Sequence, residues 1–250
     1  METGKSAIFY LVALCAAILM WAAPASADNI LVNGSFESPL VNPAWHCGAF
    51  ADCAGYHNGA PGNDYIGAWL LLPNAPIENG YAAVMVTGPT YQETNNYTGA
   101  QLNFTAQDGN QALDLTGEGN QGTWNGVKQT VATTAGRQYD LTFYLGHQWG
   151  YAPGYEMYPA ALTLWVNGNE VGLFTNGADD REDDISWIFE SYRFTADSEW
   201  TTIAFQNATD SHNQYAGLDN VALTQVPEPA SLLLLSCGLA AFAVVKRRRQ

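Results

Sequence analysis

Gln138-Tyr139-Asp140-Leu141-Thr142-Phe143-Tyr144-Leu145-Gly146 decides the class of this chain. Tyr139, Leu141, Phe143 and Leu145 fall at period two and share one face, which is the pattern of a half-buried β-strand. Outward from it, Ala161–Val166 and Glu170–Phe174 flank Asn167-Gly168-Asn169. Asn-Gly between two apolar alternations is a strong hairpin signal, because its residues tolerate the positive φ of a tight turn. Similar short alternations predict strands at Ile30–Phe36, Tyr81–Val86, Gln111–Leu115, Val127–Thr133, Trp187–Phe194, Thr201–Gln206 and Ala216–Thr224. Gly, Asn, Asp and Pro separate them, and no long stretch has helical periodicity. The expected fold is an all-β sandwich. Residues 38–80 hold Pro39, Pro43, Pro61, Pro73 and Pro76 and read as a long loop-rich excursion.

Both ends of the chain differ from this middle. Lys5 precedes an apolar segment from Ala7 to Ala23, and Ala25-Ser26-Ala27 offers small residues where a signal peptidase inspects them. Residues 1–27 therefore read as a secretory signal peptide, cleaved before Asp28. At the other end, Val226-Pro227-Glu228-Pro229-Ala230-Ser231 leads into an uncharged run to Val245, closed by Lys246-Arg247-Arg248-Arg249-Gln250. The run is short against the ~20 apolar residues of a typical spanning helix, but flanking Lys and Arg side chains can snorkel. The basic cluster keeps the C-terminus in the cytoplasm by the positive-inside rule, which places everything before it outside. A buried core helix would not end on four exposed charges. A permanent tail anchor is the competing reading.

The order of Pro-Glu-Pro, short hydrophobic helix and basic end resembles the PEP-CTERM protein-sorting signal of Gram-negative bacteria. That resemblance makes 226–250 a sorting signal with a transmembrane helix and Pro227, Glu228 and Pro229 as its motif. It implies a membrane cysteine protease, an exosortase, as processing partner. It also implies export across the inner membrane, transient anchoring, and delivery to the cell surface or extracellular matrix.

One domain, 28–225, is left between the signals, long enough for a sizeable core. Of the chain's 24 acidic residues only Glu2 and Glu228 lie outside it, and its basic residues are Lys128, Arg137, Arg181 and Arg193. It is therefore more acidic than the whole chain's net −15. Such a surface repels nucleic acid and anionic lipid. Its aromatic and β-branched content sets it apart from a disordered acidic chain. Cys15 and Cys237 lie in the terminal segments, so Cys47 and Cys53 remain to pair as a disulfide in an oxidising compartment.

Asn33-Gly34-Ser35-Phe36-Glu37 near the start and Gly217-Leu218-Asp219-Asn220-Val221-Ala222-Leu223 near the end resemble the opening and closing strands of galactose-binding-domain-like jelly rolls. Ala112-Leu113-Asp114-Leu115 and Ala135–Phe143 are similar to that superfamily's central strands. The resemblance covers most of the domain and implies a jelly-roll β-sandwich of the carbohydrate-binding-module kind. It also implies that the first and last strands lie side by side. Glu37 and Asp219 would then meet at one rim, and with so few Lys and Arg available a structural Ca2+ is the expected counter-charge, aided by Asn33 or Asn220.

No constellation for catalysis stands out. His46, His57, His147 and His212 are scattered, and no nucleophile elbow, Walker or Rossmann pattern occurs. Asp179-Asp180-Arg181-Glu182-Asp183-Asp184 lacks the EF-hand glycine and reads as a solvated acidic loop. His147, Gln148, Trp149 and Tyr151 form an aromatic-rich stretch that could stack on sugar rings and bond their hydroxyls; core packing explains it equally well. Trp45 and Trp69 are alternative platforms. The expectation is a secreted, surface-sorted, non-enzymatic sandwich of the exopolysaccharide or biofilm layer. The rivals are a carbohydrate-binding module with a defined glycan ligand, a glycoside hydrolase, and an ice-binding protein.

Overall fold

The structure, a computed structural model, describes residues 28–47, 50–56, 65–72, 84–94, 99, 101–117, 125–149, 159–177, 184–209 and 214–227. The signal-peptide region 1–27, Glu228 and Pro229 of the sorting motif, and the apolar run with its basic tail lie outside them, as does Tyr151. Asn29–Thr224 forms one compact unit.

Every regular element described is a strand. The first five are β1 (His46–Cys47), β2 (Phe50–Ala51), β3 (Cys53–Tyr56), β4 (Tyr65–Ile66) and β5 (Trp69–Leu71). Next come β6 (Val84–Thr87), β7 (Gln92–Thr94), β8 (Gln101–Asn103) and β9 (Ala112–Asp114). The long strands follow: β10 (Gly126–Ala132), β11 (Gln138–Trp149), β12 (Ala160–Val166) and β13 (Asn169–Asn176). The last are β14 (Ser186–Thr195), β15 (Trp200–Asn207) and β16 (Gln214–Gln225). Two six-stranded sheets result. Sheet one runs β13-β12-β15-β10-β5-β4 and sheet two runs β14-β11-β16-β9-β6-β3. From β10 onward the chain crosses repeatedly from one sheet to the other, with only the β12–β13 hairpin staying in one. This is the winding of a jelly roll.

The alternation that suggested a strand holds in β11. Tyr139, Leu141, Phe143 and Leu145 are buried between the sheets, while Asp140, Thr142 and Tyr144 stay partly exposed on the other face. The Asn-Gly signal is also met: Val166 pairs with Asn169, and both Asn167 (φ 50) and Gly168 (φ 78) take the left-handed conformation of a two-residue hairpin turn. At the centre Phe143 meets Phe205 at 5.1 Å and Phe174 at 5.2 Å, both edge to face, and Trp69 lies 6.1 Å from Phe205 and 5.6 Å from Phe36.

Two expectations change. Ile30–Phe36 is not a strand, because positive φ at Asn33 (58) and Phe36 (54) breaks the extended backbone. The segment is instead held from both sides by side-chain amides that imitate a ladder. Asn29 bonds the main chain of Val221 and Leu223 on β16, and Gln129 on β10 bonds both N–H and C=O of Val32. Only Ile30 N–H to Leu223 O and Val221 N–H to Gly34 O, each 2.9 Å, join it to β16 backbone to backbone. Residues 38–80 are likewise not an excursion off the fold. They supply β5 and β4 to the end of sheet one and β3 to the end of sheet two. Trp69 in this region is fully buried and donates its indole N–H to Asn33 O at 2.9 Å, so it is core and not a platform.

The close approach of the N-terminal segment to β16 leaves no room for a side chain at Gly34, where a Cβ would run into the carbonyl oxygen of Val221. Gly34→Ala should therefore lower stability by about 1–3 kcal/mol, the usual range for overpacking. Urea unfolding of the two chains measures it, and equal midpoints would show that the segment is free to shift.

Candidate functional site

Glu37 and Asp219 do come to one rim, where both grip the same turn. Glu37 Oε1 accepts the N–H groups of Asn110 and Gln111, each at 2.7 Å. Asp219 is fully buried; its Oδ2 accepts Gln107 N–H at 2.8 Å and Asp108 N–H at 2.9 Å, and its Oδ1 accepts Asn220 N–H at 2.6 Å. Ser35 Oγ donates to Asp108 Oδ2 at 2.6 Å and ties the turn to the first segment. Asn33 and Asn220 have their amides engaged as well, on Ser38 and on Gln107. The counter-charge for both carboxylates is thus backbone amide. Among the described residues no group of three or more His, Cys, Asp or Glu side chains could hold a metal ion. A cation bound at Glu37 Oε1 or at Asp219 would compete with N–H groups already aimed at those oxygens. Melting of extensively dialysed protein should accordingly be indifferent to chelator and to added calcium. A drop of several degrees with chelator would install the metal instead.

Of the stretch expected as a glycan platform, His147, Gln148 and Trp149 lie in strand β11. His147 and Gln148 are buried, at 3% and 2% exposure, so neither presents its side chain to a ligand on the surface. The Gln148 amide has no hydrogen-bond partner among the described residues. Trp149 ends β11, and its side chain is outside the described set. Alternation puts Gly146 of β11 and Gly217 of β16 on the outer face of sheet two. The bare backbone there makes room for the Trp187 ring, whose atoms would lie 2.7 Å from a Cβ at either position. The indole N–H of Trp187 donates to Thr105 O at 2.9 Å.

The same outer face carries a polar cluster that composition did not reveal. Asp114 on β9 is buried; its Oδ1 accepts Thr116 N–H at 2.8 Å and Thr116 Oγ at 2.6 Å. The β7–β8 hairpin covers it through Tyr91, Leu102 and Phe104, and Phe104 packs edge to face on Tyr215 at 4.8 Å. Tyr91 Oη donates to Glu93 Oε1 at 2.5 Å, and Thr87 Oγ lies 3.4 Å from Tyr215 Oη. Burial raises the Asp114 carboxyl from 3.8 to about 7; the Thr116 bonds pull against this, and the nearby Glu93 adds to it. Burial also raises Glu93, and raises Asp219 to about 7 against the pull of its three amides.

These shifts give the fold a pH dependence of definite sign. A carboxyl with a raised folded pKa keeps its proton in the folded chain and loses it in the unfolded one between about pH 4 and 7. Stability is full below that window, falls as pH rises through it and is level above. For Asp114 the displacement corresponds to at most about 4 kcal/mol. The melting temperature should be higher at pH 5 than at pH 7.5, and Asp114→Asn should remove a large part of the difference. An unchanged slope in that variant would locate the effect elsewhere.

A third feature lies where the two sheets end. A cleft of about 430 Å³ opens between Trp45 and Tyr65, floored by Ala54 and Gly55 and edged by His46 and Tyr56. Trp45 and Tyr65 are 47% and 55% exposed. Cys47 and Cys53 are joined by the expected disulfide, with Cα atoms 5.8 Å apart, and both are buried in the second apolar cluster. The main chain of Trp45 is fixed by Trp45 N–H to Asn42 O (2.7 Å) and Asp52 N–H to Trp45 O (2.9 Å). Asp52, at φ 60, accepts the N–H and Oγ–H of Thr90 on Oδ2, at 2.6 and 2.7 Å.

Comparison with known proteins bears on the tail and on the fold separately. Residues 225–249 match the PEP-CTERM protein-sorting motif family. No curated protein matches the chain. Among solved structures it is similar to the Stig cyclase Fisc from Fischerella sp. TAU, bound to an indole compound (17% identity, 82% of this chain and 100% of that one, TM-score 0.50). It is also similar to TmCBM61 in complex with β-1,4-galactotriose (14%, 80% and 100%, TM-score 0.45). A further neighbour is the CBM22-1 xylan-binding domain from Paenibacillus barcinonensis Xyn10C (17%, 83% and 100%, TM-score 0.38). At such identities the likeness concerns the fold alone. This chain therefore carries a PEP-CTERM protein-sorting motif, a signal of export and C-terminal membrane anchoring, behind a jelly-roll β-sandwich.

Proposed function

We propose that the protein is a non-enzymatic component of the exopolysaccharide layer of a Gram-negative bacterium, exported, anchored briefly by its tail and then released to the surface by an exosortase. The single observation that carries this reading is the PEP-CTERM match over 225–249. Pro227 follows β16 directly and is exposed, which suits access by a protease. Its missing N–H and fixed φ favour an extended motif. The strongly acidic domain keeps such a protein soluble and off the anionic membrane once released. A sandwich with aromatic side chains at its surface also suits contact with polysaccharide, whose sugar rings present apolar faces.

Mass spectrometry of the protein recovered from the cell surface tests the processing. The expected mature form begins at Asp28 and lacks Arg247–Arg249. Replacing Pro227, Glu228 and Pro229 with Ala should leave unprocessed chain in the inner membrane. Recovery of the intact basic tail at the surface would make the segment a permanent anchor, and normal processing of the triple variant would end the sorting reading.

A further inference from the structure

The cleft at the sandwich edge has a lining that selects its ligand by elimination. Among the described residues that line it none is acidic, so a metal cation or cationic peptide finds no partner in them. Among the same residues His46 is the only side chain that can carry positive charge, too little for a phosphate or a polyanion in a chain of net −15. A volume of about 430 Å³ falls within the ~300–1,000 Å³ range of small-ligand sites, whereas a stable protein interface needs about 800 Å² per partner. What the cleft does offer is two aromatic faces held in water. Trp45 and Tyr65 are two of the seven large apolar side chains that the described surface exposes, and both line this one opening.

Tyr56 in the lining is packed into the core, and burial pushes its phenol up. Among the described residues β3 and β4 are the end strands of their sheets, and an end strand turns backbone donors and acceptors outward along its edge. The frame is also set before any ligand arrives. The disulfide bounds the turn after Trp45, Asp52 pins it to Thr90, and Tyr65 is held by pairing with Leu70. Little ordering cost is left for binding.

We infer that this cleft binds a short stretch of a neutral polysaccharide, with sugar rings stacked on Trp45 and Tyr65 and hydroxyls bonded by His46 and the edge backbone. The inference deepens the surface-layer reading above and rests on it for the source of the glycan, but the binding stands or falls by its own measurement.

Affinity electrophoresis of the detergent-solubilised full chain, through native gels holding galactan, xylan, glucan or mannan, tests it, with polygalacturonate as the anionic control. At least one neutral glycan should retard the chain and polygalacturonate should not. Trp45→Ala and Tyr65→Ala should each weaken retardation by about tenfold or more, as loss of a central aromatic anchor does. Trp45→Phe should keep most of it, and Trp200→Ala should leave it unchanged, since Trp200 is 61% exposed but outside the cleft. Matching melting temperatures of the alanine variants and the parent exclude unfolding as the cause. Retardation that survives the double Trp45→Ala, Tyr65→Ala change would move the site elsewhere. Failure of all four neutral glycans, or retardation by polygalacturonate alone, would overturn the inference. Neither outcome touches the tail-processing experiment, and a chain that binds glycan yet is never processed would sink the sorting proposal while sparing the cleft.

Discussion

The sandwich depends on a file of aromatic rings that runs through its core, Phe36, Trp69, Phe205, Phe143 and Phe174. Neighbouring centroids in the file lie between 5.1 and 6.1 Å apart. Phe143 comes from sheet two; Trp69, Phe205 and Phe174 come from sheet one; Phe36 comes from the irregular segment ahead of both. One contiguous set of contacts therefore fixes the spacing of the sheets and the docking of the N-terminal segment together. Truncating a ring of this size in a core costs about 3–5 kcal/mol, a large share of a typical domain's net stability. The left-handed φ at Asn33 accompanies a carbonyl that accepts both the Trp69 indole N–H and the Phe36 N–H.

The second constraint is charge. A domain with four cations cannot neutralise its carboxylates by ion pairs, and the pair of Arg193 with Asp140, bidentate at 2.6 and 2.8 Å, is on the surface between β14 and β11. Carboxyls at the turns and strand ends are handled in two other ways. Glu37, Asp219 and Asp52 receive backbone N–H groups, which hold a turn or a strand end in place as they do so. Asp114, bonded by Thr116, keeps its proton through most of the acidic range instead. Asp219 combines the two, since burial raises it to about 7 against the pull of its amides.

How much of this could be read from the sequence follows from the range of each interaction. β11 and the β12–β13 hairpin were legible because alternation and an Asn-Gly turn are local, and nine predicted strands have counterparts among the sixteen. The disulfide was legible because the two cysteines had no rivals in the domain. The N-terminal segment was misread since its apolar alternation is real, while the positive φ at Asn33 and Phe36 is imposed by contacts with Gln129, Trp69 and β16 far along the chain. Glu37 and Asp219 were rightly brought to one rim, but nothing in their spacing told that the turn at 107–111 would offer five amides in all with Asn220. The burial of Asp114 escaped notice because β7 and β8 are three residues each and carry polar side chains, too short and too polar to announce the roof they form.

That roof also decides where a ligand can reach the fold. An open sheet face would be the natural platform for a sugar chain, and alternation places Asp114, Tyr215 and Gln148 on one. Yet Tyr91, Leu102 and Phe104 cover one part of the outer face of sheet two, and Trp187 fills the gap left by Gly146 and Gly217. The rings of Tyr91, Phe104 and Tyr215 on that face are used for packing, while Phe189, set against a half-buried Tyr144 farther along it, remains in water. At the edge formed by the end strands β3 and β4 the situation reverses. β3 and β4 are short terminal strands, the segment before them is braced by a disulfide, and the rings of Trp45 and Tyr65 remain in water. Aromatic surface left exposed next to a rigid cleft gains nothing for folding, because burying it would have been favourable. Phe189 and Trp200 are exposed as well, so the feature that sets the edge apart is the convergence of two such rings on one cleft.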